Sequence, residues 1–353
     1  MSIPKAATTA LFQNFKGGRG QSLFKGIIGE DVCQKILERL NLKEKYPNSK
    51  NLEILDIYPS QPLLSIKIHE ELNPKTHVVL EDKKKKIGPW TELIDAWKQY
   101  TNIDNLKLTT KDGWNWETYD EIIEEKLLTP EIKSRDTIHD ELLILGNLSP
   151  VKFGEPLFAQ WIMCCAYANW LQRFGRVRII ALIPAVTAQK FLSEPEFIKR
   201  NKSSVKRNLY TNINLIAITG PATSDDNPGL GYDPRVIIEQ QPIVIPRAAV
   251  FPNDAEIAVV ELEPKNFNSA NIEEYEHILT QLFINSNSKV KNLLSYIAVG
   301  ADDDLAPLLS DELLNKAPRD LKMDEWHQLF NVFNTWAFKP SYIDRMAFLQ
   351  END

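Results

Sequence analysis

Residues 52–62, LEILDIYPSQP, constrain this chain more than any other stretch. Ile54, Leu55 and Ile57 form a short apolar run, Tyr58-Pro59-Ser60 breaks it, and a helical pattern follows. An apolar run bounded by turn residues predicts a buried strand. In nucleotide-type α/β folds a first strand, a tight turn and a helix form the cofactor cradle, whose glycines let the backbone approach the ligand. Asp56 stands where such a cradle would begin, yet the turn that follows is Tyr58-Pro59-Ser60-Gln61-Pro62, without a glycine. Any function has to be compatible with that turn.

Further short apolar runs follow: HVVLE (77–81), NLKLTT (105–110), ELLILGN (141–147), VRIIALIP (177–184), NLIAIT (214–219) and IVIP (243–246). Helical patterns cover 24–42, the segment after Pro62, 90–100, 119–126 and 156–174. Strands alternating with helices predict a mostly parallel sheet covered on both faces. IAVVELEP (257–264) reads as half of an antiparallel pair, giving a mixed sheet with an antiparallel edge. Beyond Pro264 only helix-period segments remain: NIEEYEHILTQLFI, KNLLSYIAVG, SDELLNKA and MDEWHQLFNVFNTWAF. The expected organisation is a basic N-terminal arm (1–23), a Rossmann-like α/β domain (24–264), a small all-helical domain (265–338) and a terminal tail (339–353).

Composition narrows the function classes. No run of 18 apolar residues occurs, so no membrane span is expected. Cys33, Cys164 and Cys165 are too few for a disulfide framework or a tetrahedral metal site, and read as buried thiols of a reducing compartment. The five histidines lie in separate segments without ligand spacing, so neither a metal centre nor a nucleophilic triad is expected.

The net charge of −7 conceals two basic regions. Residues 1–29 hold Lys5, Lys16, Arg19 and Lys25 with no acid, the composition of an organelle transit segment or of a loose basic arm. Residues 173–207 hold nine Lys and Arg against Glu194 and Glu196 alone. That island is either the footprint of a polyanion partner or a solvated face.

Ligands of open α/β sheets sit beyond the carboxyl ends of the strands. Four polar residues fall at such ends: Asp56, Glu81, Asp112 and Asn147. An acid ending the second strand can accept both ribose hydroxyls and a later Asp can take an adenine amino group. The same residue types also terminate strands and cap helices for structural reasons alone.

In their order along the chain these pieces resemble the rRNA adenine dimethyltransferases, and among them the fungal mitochondrial transcription-factor branch. FKGIIGEDVCQKILERLNL resembles the opening helix of that family, LEILDIYPS its first strand and HVVLE its second. GNLSP stands where the methyltransferases carry Asn-Leu-Pro-aromatic, and RFGRVRIIALIP with KSSVKR resembles the next strand and its Ser-containing loop. FPNDAEIAVVELEP matches a further strand, while NWLQRFGRV and WAFKP resemble the fungal branch specifically. The similarity spans about residues 24–349 and implies a Rossmann-like class I methyltransferase fold, a mostly parallel seven-stranded sheet with an antiparallel edge, followed by a small all-helical domain.

The departures favour the transcription-factor branch over the enzymes. Side chains at Tyr58 and Ser60 replace the Gly-rich turn, and Ser149-Pro150 replaces the proline and the aromatic that would stack a flipped adenine. The resemblance therefore implies no catalytic residues, no required cofactor and at most a vestigial S-adenosylmethionine site through Ile27, Glu81, Asp112 and Asn147. It implies a monomer that joins the mitochondrial RNA polymerase in the matrix, confers promoter selectivity and holds the non-template DNA strand, with RNA as a further ligand. Nucleic-acid contacts are expected from Trp114, Trp116 and Lys190, with Arg173, Lys202 and Lys206 added on charge. Gln189 stands where the family has an arginine. Tyr342, Arg345, Met346 and Phe348 of the tail are expected near the polymerase active site and template strand. A working rRNA dimethyltransferase and a general RNA-binding protein are the competing readings.

Overall fold

A computed structural model describes residues 4–15, 24–220, 240–253, 255–268, 272–341 and 344. The chain divides into two units, Met1–Ala188 with Thr211–Asn266, and Gln189–Tyr210 with Phe267–Asp353. The first unit opens with α1 (Lys5–Gln13), β1 (Gly26–Ile27), α2 (Glu30–Leu40) and α3 (Leu42–Lys45). Strand–helix alternation follows: β2 (Glu53–Ile57), α4 (Leu63–Leu72), β3 (Thr76–Leu80), α5 (Lys84–Thr101), β4 (Leu106–Thr109) and α6 (Glu117–Glu124). Then come β5 (Ile138–Asn147), α7 (Val151–Tyr167) and β6 (Arg176–Pro184). After α8 (Ala185–Phe191) and α9 (Lys202–Tyr210) the sheet resumes with β7 (Thr211–Thr219), β8 (Ile243–Ile245), β9 (Val250–Phe251) and β10 (Ile257–Pro264).

The main sheet has the order β4-β3-β2-β5-β6-β10-β7-β8. β2 lies between β3 and β5, parallel to both, and all five of its residues are buried, which is why its sequence shows no polar alternation. The strand order reverses between β2 and β5, so their carboxyl ends frame the crevice where open sheets bind ligands. Ile57 is in register with Gly146, which sets the turn at Tyr58 beside Asn147.

Three details differ from the sequence expectation. The sheet has eight strands rather than seven, because Ile243–Ile245 adds in parallel to β7 on the rim. The antiparallel strand β10 is interior, between β6 and β7, and not an edge. Its near-continuous burial suits that place, and its one fully buried acid, Glu261, is paired with Arg178 at 3.0 Å and with Lys45. Lastly, residues 24–29 are not helical. Gly26 and Ile27 pair with β9, and the glycines allow close approach: a Cβ on Gly26 would lie 2.4 Å from Gln61 Cγ, and one on Gly29 2.6 Å from Ala249 Cβ.

The N-terminal residues expected to be an arm contain a docked helix. Leu11, Phe12 and Phe15 pack with Ile66, Val79, Trp90, Leu93 and Trp97. Phe15 is fully buried, edge-on to Trp90 at 5.2 Å, and its carbonyl accepts from Lys86 Nζ (2.6 Å) and Gln61 Nε2 (3.2 Å). Lys16 and Arg19 lie outside the described residues.

Buried polar side chains run in a row beneath the sheet's central turn. Asn105 Oδ1 meets His69 Nε2 (3.1 Å), His69 Nδ1 meets His77 Nδ1 (3.2 Å), and His77 Nε2 meets Asp56 Oδ2 (3.4 Å). Burial, reinforced by His77, pulls the His69 imidazole down to about 3. The three cysteines are buried and unpaired by disulfides.

The second unit is built on α10 (Ile272–Leu282), α11 (Leu294–Ile297), α12 (Ala301–Leu305), α13 (Asp311–Asn315) and α14 (Met323–Thr335). Its core is aromatic: Tyr275 stacks on Phe330 at 4.0 Å, and Trp326 packs between Phe330 and Phe283. Residues 189–210, expected in the α/β domain, belong here. Buried Arg200 explains part of this, donating to the carbonyls of Arg319 (2.8 Å) and Leu321 (2.5 Å).

Replacing Phe15 by alanine removes a ring on which α1, α4 and α5 all rest. Urea unfolding is expected to show a loss of about 3–5 kcal/mol. A loss under about 0.5 kcal/mol, the usual size of a surface effect, would mean the N-terminal helix does not dock in solution.

Candidate functional site at the strand ends

The turn after β2 keeps the backbone shape of a glycine turn while carrying side chains. Tyr58 has φ 54° and Ser60 φ 58°, both left-handed, a region L-residues enter only at a cost of about 1–2 kcal/mol each. What holds Tyr58 there is its ring. It stacks on Phe24 (centroids 5.0 Å, planes 29° apart) and on Trp114 (5.8 Å, 27°), and Lys83 Nζ lies 4.9 Å above its centroid. The hydroxyl donates to Asp112 Oδ1 at 2.9 Å and accepts the Gly113 N–H at 2.8 Å. Burial, then the nearby Asp82 and Asp112 carboxylates, drive the phenol far above its ordinary range, so it remains a neutral donor.

The chain's own opening segment closes the crevice from the other side. Asn147 Nδ2 donates to the Lys25 carbonyl at 2.7 Å, and Ser149 Oγ accepts the Lys25 N–H at 2.7 Å. Asn147 Oδ1 accepts the Ser149 N–H at 3.1 Å, while Ser60 Oγ donates to the Phe24 carbonyl at 3.4 Å. The N–H and the carbonyl of Lys25 are thus both held by the motif that begins at Asn147. A cavity of only about 50 Å³ remains, lined by Ile27, Asp56, Pro59, Gln61, Gly146 and Asn147 among others. Ligand pockets commonly measure about 300–1,000 Å³, so this one is several-fold too small for a nucleoside.

The four residues expected to bind a cofactor lie around this plug. Ile27 and Asn147 face the small cavity and are buried. Asp112 is exposed, and one of its carboxylate oxygens is taken by Tyr58 and the Trp114 N–H (2.9 Å). Glu81 is buried and accepts the Lys83 N–H at 3.1 Å. Burial pushes its carboxyl up to about 7, partly offset by that N–H and augmented by Asp82. Among the described residues no group of three or more His, Cys, Asp or Glu side chains is placed to hold a metal ion.

Trp114 is half-buried, held between Tyr58 and Phe153 (5.8 Å). Phe153 is 45% exposed, and Lys152 Nζ lies 5.4 Å from its ring. Trp116 is also exposed and meets Trp170 edge-on at 5.8 Å. An accessible aromatic platform therefore tops the sheet. Phe24, Phe153 and the Lys25 backbone were not singled out by sequence pattern. Phe153, three residues past Pro150 at the start of α7, was the one a search for a replacement aromatic could have found.

The basic island is not a field of free charge. In the first unit Arg173 pairs with Asp120 (2.6 Å), Arg176 donates to the Pro264 carbonyl (2.7 Å), and Arg178 is buried against Glu261 and Glu263. In the second, Lys202 donates to Thr280 Oγ1 (3.2 Å), Lys206 pairs with Glu276, and Arg207 pairs with Glu194 (3.0 Å). Lys190 is half-buried in α8 and also has partners within the protein. The polyanion footprint expected from clustering in sequence is thus largely consumed by internal pairing. Tyr342, Arg345, Met346 and Phe348 lie outside the described residues.

Comparison with known proteins places this geometry. The family model for ribosomal RNA adenine dimethylase matches residues 22–335. The chain is 31% identical over 323 residues to mitochondrial transcription factor 1 of Saccharomyces cerevisiae, covering 91% of each chain. It is 28% identical over 334 residues to the protein of that name from Lachancea kluyveri, covering 94% of each. Among solved structures it is similar to a dimethyladenosine transferase from Plasmodium falciparum, at 13% identity and a TM-score of 0.56, over 88% of this chain and 97% of that one. This last likeness concerns the fold.

Glu81 provides a solution test of the closed crevice. With its carboxyl raised from 4.5 to about 7 in the folded state, its contribution is fully present below pH 4.5 and is lost as pH rises through 7. Glu81→Gln is therefore expected to gain stability relative to the unsubstituted protein between pH 5 and 8, on the order of 2–3 kcal/mol. His69 titrates in both proteins and cancels in the difference. Parallel stability–pH curves would mean that water reaches the carboxylate and the crevice is open.

Proposed function

The chain belongs to the ribosomal RNA adenine dimethylase family, and we propose that it acts in mitochondria as a transcription initiation factor and not as a methyl-transfer enzyme. Relatives that share its sequence over 91–94% of the chain carry the name mitochondrial transcription factor 1. The observation that carries the reading is Tyr58, whose ring and hydroxyl occupy the crevice where a nucleoside cofactor of this fold would lie.

S-adenosylmethionine does not fit the residues present. Glu81 and Asp112 could hold its ribose and adenine, but the Tyr58 hydroxyl already takes Asp112 Oδ1, and about 50 Å³ is left beside Asn147. Asn147 is committed to Lys25 and Ser149, and Ser149-Pro150 occupy the positions where a proline and a base-stacking aromatic would follow it. The reading therefore requires no cofactor and no turnover. The retained acids at 81 and 112 favour the dimethyltransferase alternative, and titration calorimetry with S-adenosylmethionine separates the two. No binding heat is expected at millimolar ligand; micromolar affinity with methyl transfer to a small-subunit rRNA hairpin would establish the enzyme instead.

The finer assignment is a matrix factor that joins the mitochondrial RNA polymerase at promoters and holds the displaced non-template strand. Trp114 and Trp116, with Phe153 beside them, supply the faces on which unpaired bases stack. Each such stack contributes about 1–3 kcal/mol and tolerates any base. With most of the basic island paired internally, stacking has to carry a large share of the grip. The tail residues Tyr342, Arg345 and Phe348 are assigned to the template side on resemblance alone.

Trp114→Ala is expected to reduce open-complex formation about tenfold on a duplex promoter, in line with one lost stack. On a template already melted at the start site the loss should be smaller. Run-off transcription with the cognate polymerase on both templates measures the difference, and equal losses would exclude a stacking role in melting.

A further inference from the structure

In the second unit, exposed apolar side chains gather around α12. Val299 is 88% exposed, Leu308 59% and Tyr296 47%, all within thirteen residues. Trp336 Nε1 donates to Asp304 Oδ2 at 2.9 Å, bringing the end of the helical unit to α12, and Phe338, two residues further on, is 75% exposed. Single exposed apolar residues are ordinary, but several gathered about one short helix mark a surface that something covers.

Charge identifies what covers it. From 292 to 315 the chain has five acids, Asp302, Asp303, Asp304, Asp311 and Glu312, and no lysine or arginine. Asp302, Asp303 and Asp304 are exposed. An acidic rim repels the phosphates of DNA or RNA. A second copy of this chain would set the same acids against each other, since a two-fold contact brings like patches together. Residues 342–353 carry Asp344, Glu351 and Asp353 against Arg345, so they too have the wrong sign. The remaining complement is a protein surface with apolar side chains ringed by Lys and Arg.

We infer that the α12 face, centred on Val299, Leu308 and Phe338 with Asp302 and Asp303 at its rim, is the surface on which the RNA polymerase docks. This rests on the initiation-factor reading and adds to it the place and chemistry of the contact. The apolar centre supplies affinity by excluding water, and the acidic rim steers encounter and fixes orientation. The aromatic platform on the first unit is left to DNA.

The test uses the full chain and the purified cognate polymerase in a direct binding assay at several salt concentrations. V299D/L308D is expected to weaken binding at least about tenfold, as for loss of an interface centre. D302K/D303K is expected to weaken it and to flatten its salt dependence. Both pairs are solvent-exposed, so thermal unfolding should match the parent, and either pair alone decides the matter if the other fails to fold. Parent-like polymerase binding by the folded variants would overturn the proposed surface while leaving the initiation-factor reading intact. Absence of binding by the parent chain would sink that reading itself. Loss of promoter-DNA binding without polymerase in V299D/L308D, loss of self-association with polymerase binding kept, or parent-like polymerase binding restored to V299D/L308D by deleting residues 342–353 would each assign the face to another occupant and overturn the inference.

Discussion

The packing of the Tyr58 ring against Phe24 and Trp114, which also meet each other at 6.4 Å, is the interaction on which the rest of the first unit depends. Two left-handed non-glycine residues within three positions, Tyr58 and Ser60, would be untenable in a solvated loop, at about 1–2 kcal/mol apiece. Burial of a large aromatic ring contributes on the order of 2–3 kcal/mol, and together with the two well-formed hydrogen bonds of its hydroxyl it offsets that cost. The turn thus keeps a cofactor cradle's path while the space above the path is filled. Ser60 and Ser149 complete the closure by binding the backbone of residues 24 and 25, so the opening segment, the turn and the Asn147 motif stabilise one another.

This closure also shapes the surface above it. Trp114 lies two residues after Asp112, and Asp112 Oδ1 accepts from both the Tyr58 hydroxyl and the Trp114 N–H. The plug and the platform therefore share an anchor. In the role proposed for Trp114, a ring that is already held would lose less entropy on stacking a base, and Trp114 is packed against Tyr58 and Phe153.

Much of this was legible in the chain itself. All eight main strands were readable because central parallel strands are continuous apolar runs, and the missing glycines at 58–62 pointed directly to a blocked cradle. The strand order and β8's place on the rim were not readable, since pairing is decided by tertiary packing rather than by local pattern. The docked N-terminal helix escaped notice because its apolar face is only Leu11, Phe12 and Phe15, diluted by Ala and Thr. The basic island misled for a different reason. Linear charge density reports an electrostatic footprint only when the charges face water, and Arg178, Arg200 and Arg207 are buried against Glu261, backbone carbonyls and Glu194. Distant acids in the sequence cannot be matched to them without the fold.

If the proposed function holds, the inward pairing of those cations bears on how the protein would distinguish melted from duplex DNA. A broad free positive surface binds any duplex through counterion release, with affinity that scales with the number of phosphates neutralised. Such binding rewards the closed helix and the open one alike. Aromatic platforms engage only bases that have left the stack, so they stabilise the melted state specifically. On the proposed function, a protein of net charge −7, with the arginines of its basic island consumed in its own architecture and with Trp116 exposed and Trp114 half-buried at the sheet's end, would be biased toward the second mode. Non-specific duplex affinity would then have to come from the polymerase. The acidic-rimmed apolar face proposed for docking and the aromatic platform proposed for bases would make that division of labour physically reasonable on one small chain.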